Sequence, residues 1–232
     1  MTTKEQEAQL DIGIAKAARI LWPNLDEARS FKDKQGRESG KPKFSATFML
    51  PNDSAELAEH KKAVVGLLKA KYGADLKFNA ETKRFSVTID GRSLELALPF
   101  HSGDEEAMRA MSAGKDRSFA MGQTFIKTSS QYAVPVFDAR QRDSAGVPLA
   151  VTDKAAIKAT VYSGSFGAGT LKYRTYDKVG TNPPGVTAYL QKICFVTDGE
   201  KIAAGASGVN FAAVQGAVVQ TSAAAGDDDI AF

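Results

Sequence analysis

The chain has one cysteine, Cys194, two histidines, His60 and His101, and one tryptophan, Trp22, in 232 residues. A single thiol excludes an internal disulfide, and so few imidazoles leave a zinc site without a ligand set. No apolar run is long enough to span a bilayer, and the opening MTTKEQEAQL has no apolar signal core. The spacings that mark catalysis are missing too: there is no GxSxG elbow, no HExxH and no carboxylate cluster tied to a strand end. Gly164–Thr170, GSFGAGT, faintly resembles a phosphate-binding loop, but no lysine follows Gly169, no hydrophobic strand enters and no helix pattern leaves. Asp104, Glu105 and Glu106 open a short helical pattern, where acids complement the helix dipole rather than hold a metal. These absences predict an intracellular protein that is not an enzyme and needs no metal, cofactor or membrane.

What is present fits one domain with a flexible tail. Hydrophobic residues at 43% and charged residues at 25% are ordinary for a globular chain of a length that buries a good core. The net charge of +3 hides an asymmetry, because Asp227, Asp228 and Asp229 lie together at one end; setting those three aside leaves the rest at about +6. A basic body suits a polyanionic partner, and an acidic tip suits a basic one.

The densest strand signal and the densest mix of cations and rings coincide in Ala155–Val196. Ala155–Tyr162 alternates with Ile157, Ala159 and Val161 on one side and Lys158, Thr160 and Tyr162 on the other, which predicts a strand. Gly164, Gly167 and Gly169 predict a flexible loop. In Leu171–Tyr176 the alternation places Leu171, Tyr173 and Thr175 opposite Lys172, Arg174 and Tyr176. Asn182-Pro183-Pro184-Gly185 is a turn, and Val186–Val196 a further strand. A sheet that is apolar beneath and carries lysine, arginine and tyrosine above suits an unpaired nucleic acid, with cations along the phosphates and rings on the bases. The same pattern also suits an ordinary solvated antiparallel face.

Taken in order, Ile14–Trp22 reads as a strand ended by Pro23-Asn24. The following segment to Lys43 holds Arg29, Phe31, Lys32, Lys34, Arg37, Lys41 and Lys43 and reads as a mobile hairpin tip, either a clamp on a phosphate backbone or simply a solvated loop. Phe44–Leu50 is a strand with Phe44, Ala46, Phe48 and Leu50 inward. Asp53 is the predicted cap of a helix over Ser54–Tyr72, with Leu57, Val64, Leu68 and Tyr72 on its packing face, His60 in solvent and Gly73 as C-cap. Phe85–Ile89 and Leu94–Leu98 pair across Asp90-Gly91. Asp104–Met111 is a short helix, Phe119–Lys127 a strand, Pro135 an edge or loop position, and Asp138–Pro148 a polar loop. Cys194 is a small core residue.

Beyond Val196 the composition turns to Ala, Gly, Ser, Val and Gln, too few large apolar groups for a core. The last six residues, Asp227-Asp228-Asp229-Ile230-Ala231-Phe232, make a portable ligand: the ring fills a pocket and the acids meet a basic rim.

This tip resembles the acidic C-terminal tip of bacterial single-stranded DNA-binding proteins, with Ala231 where those usually have proline. From Ala18 to about Val196 the chain resembles a family of bacteriophage single-stranded DNA-binding proteins with one elaborated OB fold. The matching blocks are ARILWPNLDEARSFKDKQGRESGKPKFSATFMLP and IKATVYSGSF…YRTYDKVGTNPPGVTAYLQKI. The resemblance implies a mainly β fold, an OB-fold five-stranded barrel with extra strands or hairpins and one helix, over residues 1–198. A linker over 199–226 and the interaction tip over 227–232 follow. It implies a protein that coats single-stranded DNA, with duplex bound more weakly, in phage replication, recombination and repair within the bacterial host cytoplasm. The tip, through Asp227, Asp228, Asp229, Ile230 and Phe232, recruits replication and recombination proteins and competes with DNA for the basic groove; self-association on DNA is a further implication. The expected DNA-binding residues are Lys158, Tyr162, Lys172, Tyr173, Arg174 and Tyr176, with Trp22, Phe31 and Arg37. Because Tyr173 and Tyr176 fall on opposite sides of an ideal strand, one of them belongs to the core. Strand annealing and a phage structural or assembly role are the alternatives.

Overall fold

A computed structural model describes residues 5–32, 38–89, 91–177 and 182–202. Twelve strands and three α-helices lie among them. The first part of the chain forms β1 (Glu7–Ile12), β2 (Ala18–Lys32) and β3 (Glu38–Pro51), then α1 (Ala55–Tyr72) and the short strands β4 (Leu76–Asn79), β5 (Arg84–Ile89) and β6 (Arg92–Glu95). After these come β7 (Phe100–Ser102), α2 (Gly103–Ser112), β8 (Gln123–Ser130), β9 (Val136–Arg142) and β10 (Pro148–Val151). The last elements are α3 (Lys154–Thr160), β11 (Phe166–Tyr176) and β12 (Gly185–Thr197).

Five strands pair in a closed ring: β11 with β2, β2 with β3, β3 with β8, β8 with β12, and β12 back to β11. Only β8–β12 is parallel within the ring, and closure removes the open edges a small sheet otherwise presents. β1 adds along β11, β7 along β8, and β9–β10 along β12, while β4, β5 and β6 form a separate antiparallel sheet. This is the mainly β, five-stranded arrangement expected, with three helices rather than one.

Inside the ring lie Ile20, Phe48, Ile126, Leu171, Leu190 and Ile193, all buried. Two glycines of β11 make that packing possible. A Cβ on Gly167 would sit 2.4 Å from Ile20 Cδ1, and one on Gly169 would sit 2.7 Å from Phe48 Cζ. Side chains from β2 and β3 thus rest on bare backbone across the ring, so these glycines belong to a strand and not to the flexible loop expected.

α1 closes one side of the ring, burying Leu57, Val64, Leu67 and Leu68. Each such side chain contributes about 1.5–3 kcal/mol when fully buried. Its cap is Ser54, whose hydroxyl accepts from the Leu57 N–H at 3.3 Å, rather than Asp53; Gly73 ends it as expected. His60 is 1% exposed, not solvated: its Nδ1 is 2.8 Å from the Tyr173 hydroxyl, and burial lowers its pKa and raises that of the tyrosine.

Other expectations are corrected. Ala155–Tyr162 is largely α3, because Asp153 caps it at the Ala156 N–H (2.8 Å) and Ile157 and Val161, four apart, share one buried face. Ile14–Lys16 is a 3-10 turn, and β2 starts at Ala18 and runs through Pro23. Its register with β3 shifts between Leu21 and Asn24, a bulge at which Pro23 has no ladder bond to lose and Trp22 takes φ 47°. The charged segment to Lys43 is mostly the paired ends of β2 and β3, and Asp138–Pro148 contains most of β9 and the start of β10. The strand expected at Phe119–Lys127 is shifted to β8. Past β12, Ile202 is buried with Leu21, Met49 and Phe125, and its N–H donates to the Ser163 carbonyl at 2.8 Å.

Candidate nucleic-acid interface

Alternation along paired strands assigns one set of side chains to the outside of the ring. In β8, Phe125, Lys127 and Ser129 share a face; their partners across β3 are Met49, Thr47 and Ser45, and Lys43 continues that row. Across the parallel pairing, Ser129 meets Tyr189 of β12, and Tyr189 in turn meets Lys172 of β11, with Thr187 opposite Arg174 and Gly185 opposite Tyr176. α2 covers the Met49–Phe125 end with Ala107 and Ala110. Beyond the helix the face is open.

Two adjoining hollows occupy that opening and share His101 and Lys127. The first, about 290 Å³, is walled by Trp22, Phe125, Arg109, Arg117, Glu105 and Glu106. Trp22 meets Phe125 edge-on with centroids 6.0 Å apart, and the Arg117 guanidinium lies 5.3 Å from the indole centroid. Arg117 and Arg109 both pair with Glu106. The second hollow, about 540 Å³, is lined by Lys43, Lys127, Ser129, Thr187, Tyr176 and Tyr189 among others, and no carboxylate lines it. No described acid pairs with either lysine.

Local structure holds these groups in place. The β2 bulge turns Trp22 toward the groove, and Asn24 beside it donates to Ser45 Oγ at 3.2 Å. Tyr176 sits at the end of β11, where the neighbouring Asp177 is tied to the buried Nζ of Lys71 on α1 at 2.7 Å. Burial raises the pKa of Tyr176, which keeps it an uncharged ring at neutral pH. His101 loses water at the groove wall and stands near the charges of Lys127 and Arg109, with Glu106 opposing them; its pKa falls to about 4. It is therefore a neutral ring between the two hollows.

The residues expected at a DNA site are dispersed. Trp22 and Tyr176 line the groove, one in each hollow. Tyr173 is 0% exposed with its hydroxyl on His60, so it cannot stack on a base: it is the core member of the Tyr173–Tyr176 pair. Lys172 and Arg174 do face outward beside Tyr189, but β1 brings acids onto them: Lys172 meets Glu7 at 2.7 Å, and Arg174 meets Glu5 and, at 3.3 Å, Glu7. Lys158 is exposed on α3 rather than on a strand. Tyr162 is anchored away from the groove, its hydroxyl donating to Asp198 Oδ1 at 3.0 Å and accepting from the Gly199 N–H at 3.1 Å. The Phe31 side chain, Arg37, Asp227, Asp228, Asp229, Ile230 and Phe232 lie outside the described residues. Lys127, Tyr189, His101 and Arg117 were not singled out from the sequence, although Lys127 and Tyr189 follow from period-two alternation once β8 and β12 are paired. Among the described residues no three His, Cys, Asp or Glu side chains are grouped so as to hold a metal ion, and no helix is long and apolar enough to cross a membrane.

Comparison with known proteins agrees with this architecture. A family model described as the ssDNA-binding protein of Enterobacter phage Enc34 matches residues 12–218. The solved structure of the single-stranded DNA-binding protein from bacteriophage Enc34 is 16% identical, with a TM-score of 0.54 over 85% of each chain. The same protein in complex with ssDNA gives 16% identity and a TM-score of 0.54 over 85% of this chain and 89% of that one. The single-stranded DNA-binding protein encoded by bacteriophage T7 is 12% identical, with a TM-score of 0.44 over 86% of this chain and 91% of that one. No curated protein sequence matches the chain. With the model matching most of its length, the chain belongs to the Enc34 family of phage ssDNA-binding proteins.

Proposed function

We propose that this protein binds single-stranded DNA, without regard to sequence, in the groove from Trp22 to Tyr189. The observation that carries the reading is the second hollow, where Lys43 and Lys127 flank Tyr176 and Tyr189 and no acid lines the wall. Lysines neutralise phosphates and release counterions, and tyrosine faces stack on any base, contributing about 1–3 kcal/mol each. Stacking of that kind requires unpaired bases, so duplex binds more weakly. Trp22 extends the track at the far end, past His101. Lys172 and Arg174 serve instead to brace β1 through Glu5 and Glu7.

In the cell such binding coats and protects single strands during phage DNA replication and recombination in the bacterial cytoplasm, with no catalytic step. The acidic tip, Asp227–Phe232, recruits partner proteins and competes with DNA for the lysines. The support for this part is sequence alone: three carboxylates, Ile230 and a terminal ring.

Fluorescence anisotropy with labelled oligo-dT and a matched duplex, over a salt series, tests the reading. The intact chain binds oligo-dT tightly at low salt and duplex less well, and a chain ending at Gly226 binds oligo-dT more tightly than the intact one. Equal binding of both DNAs, or of neither, overturns the groove; equal affinity of the two chains overturns the competition by the tip.

A further inference from the structure

The first hollow contains a circuit that binding alone does not require. Arg117 lies over the Trp22 ring and donates from Nη1 to Glu106, while Arg109 reaches the other oxygen of that carboxylate at 3.4 Å. The side chains of Arg117 and Glu106 are 29% and 28% exposed, whereas Arg109 is 76% exposed. The two arginines therefore differ in place. One is folded into the groove with its cation on the indole, and the other stands in solvent one helical turn from Glu106.

We propose that Glu106 acts as a stand-in for a DNA phosphate, holding Arg117 on Trp22 while the groove is empty and surrendering it to the backbone of an entering strand. The proposal rests on the groove being the single-stranded DNA site. Arg117 uses one guanidinium nitrogen on one Glu106 oxygen, so a single phosphodiester oxygen can take the place of that carboxylate oxygen and leave the rest of the fork free. It strands no charge, because Glu106 keeps Arg109. It also uncovers the indole, trading a cation over the ring for a stacked base.

The two halves of the groove then bind in order. The lysine-lined half has no internal acid and accepts a strand directly, while the Trp22 half opens only when the strand is long enough to bring a phosphate to Arg117. A short oligonucleotide occupies the first and leaves Trp22 covered.

Trp22 is the chain's only tryptophan, which makes it the readout. The full chain and its Glu106→Gln variant are titrated with short and long oligo-dT, following tryptophan fluorescence and salt dependence. In the wild type, long oligo-dT changes the Trp22 emission and short oligo-dT does not. Glu106→Gln binds long oligo-dT about two- to fivefold more tightly, the span of a partly exposed ion pair removed from the unbound state. Arg117→Gln lowers the slope of log affinity against log salt by about 0.7, one phosphate contact on a single strand. Unchanged or weaker binding by a natively melting Glu106→Gln overturns the exchange. So does an unchanged slope for Arg117→Gln, which decides the matter if the glutamine variant does not fold. Wild-type Trp22 emission that ignores oligo-dT of every length overturns the groove itself, a separate failure.

Discussion

Lys127 and Lys172 project from the same outer face, yet the structure gives them opposite expectations. Lys127 stands between the two hollows with no described acid on it, whereas Lys172 is held by Glu7 at 2.7 Å. One lysine on one phosphate of a single strand contributes a slope of about 0.7 in log affinity against log salt. Taken by itself, that release term makes Lys127→Ala about eightfold weaker at about 50 mM salt and about threefold weaker at about 200 mM, or roughly 1.2 and 0.7 kcal/mol. Lys172→Ala removes a cation already neutralised by the protein, and Glu7 retains Arg174 at 3.3 Å, so its affinity and slope stay close to wild type. Anisotropy titrations of labelled oligo-dT at several salt concentrations separate the two. Equal losses for both lysines, or a loss at Lys127 that does not shrink as salt rises, refute the reasoning.

Tyr173→Phe leaves the buried Nδ1 of His60 without its partner at 2.8 Å and lowers stability by about 1–3 kcal/mol, read as a lower melting temperature with oligo-dT affinity unchanged. Lost affinity with an unchanged melt would place Tyr173 at the DNA instead. Gly169→Ala drives a methyl toward Phe48 Cζ and costs about 1–3 kcal/mol in thermal denaturation; a neutral result refutes the close packing across the ring. Burial holds His60 below the usual imidazole pKa, and partial desolvation at the groove wall beside the charge of Lys127 holds the still-exposed His101 at about 4, so the unfolded chain binds more protons than the folded one between about pH 6.5 and 4. Their contribution is fully present above that window and is lost as pH falls through it. The melting temperature should therefore decline from about pH 6.5 toward 4, less steeply in His101→Gln; identical profiles contradict the depressed imidazole.

Local periodicity carried much of the ring and part of the site. The alternation of Leu171–Tyr176 placed Lys172, Arg174 and Tyr176 opposite Tyr173, and burial of Tyr173 agrees. Where two periods compete over a short stretch, local reading failed. Ile157 and Val161 satisfy both alternation and a four-residue repeat, and the Asp153 cap that favours the helix lies just outside the eight residues read as a strand. His60 falls three after Leu57 and four before Val64, inside the apolar stripe, but the Tyr173 hydroxyl that makes its burial tolerable is 113 residues away. The strands of the long β2–β3 hairpin carry charges instead of an apolar alternation, so they resemble a loop. Lys172 and Arg174 look available in sequence because Glu5 and Glu7 reach them from the far end of the chain. No local window contains that neutralisation.

β12 pairs with β8 and β9 in parallel and with β11 in the opposite sense, and it is the last of the described strands in chain order. During synthesis, β2, β3 and β8 can form their antiparallel ladders as they emerge, but the ring cannot shut until β12 has left the ribosome. Until then the stretch of the β8 edge past its pairing with β7 and the apolar inner faces of the strands stand exposed, a state prone to association with other chains. The strand that brings Tyr189 to the groove is also the one that closes the ring, so a nascent chain acquires its second hollow only at the moment its inner faces are covered.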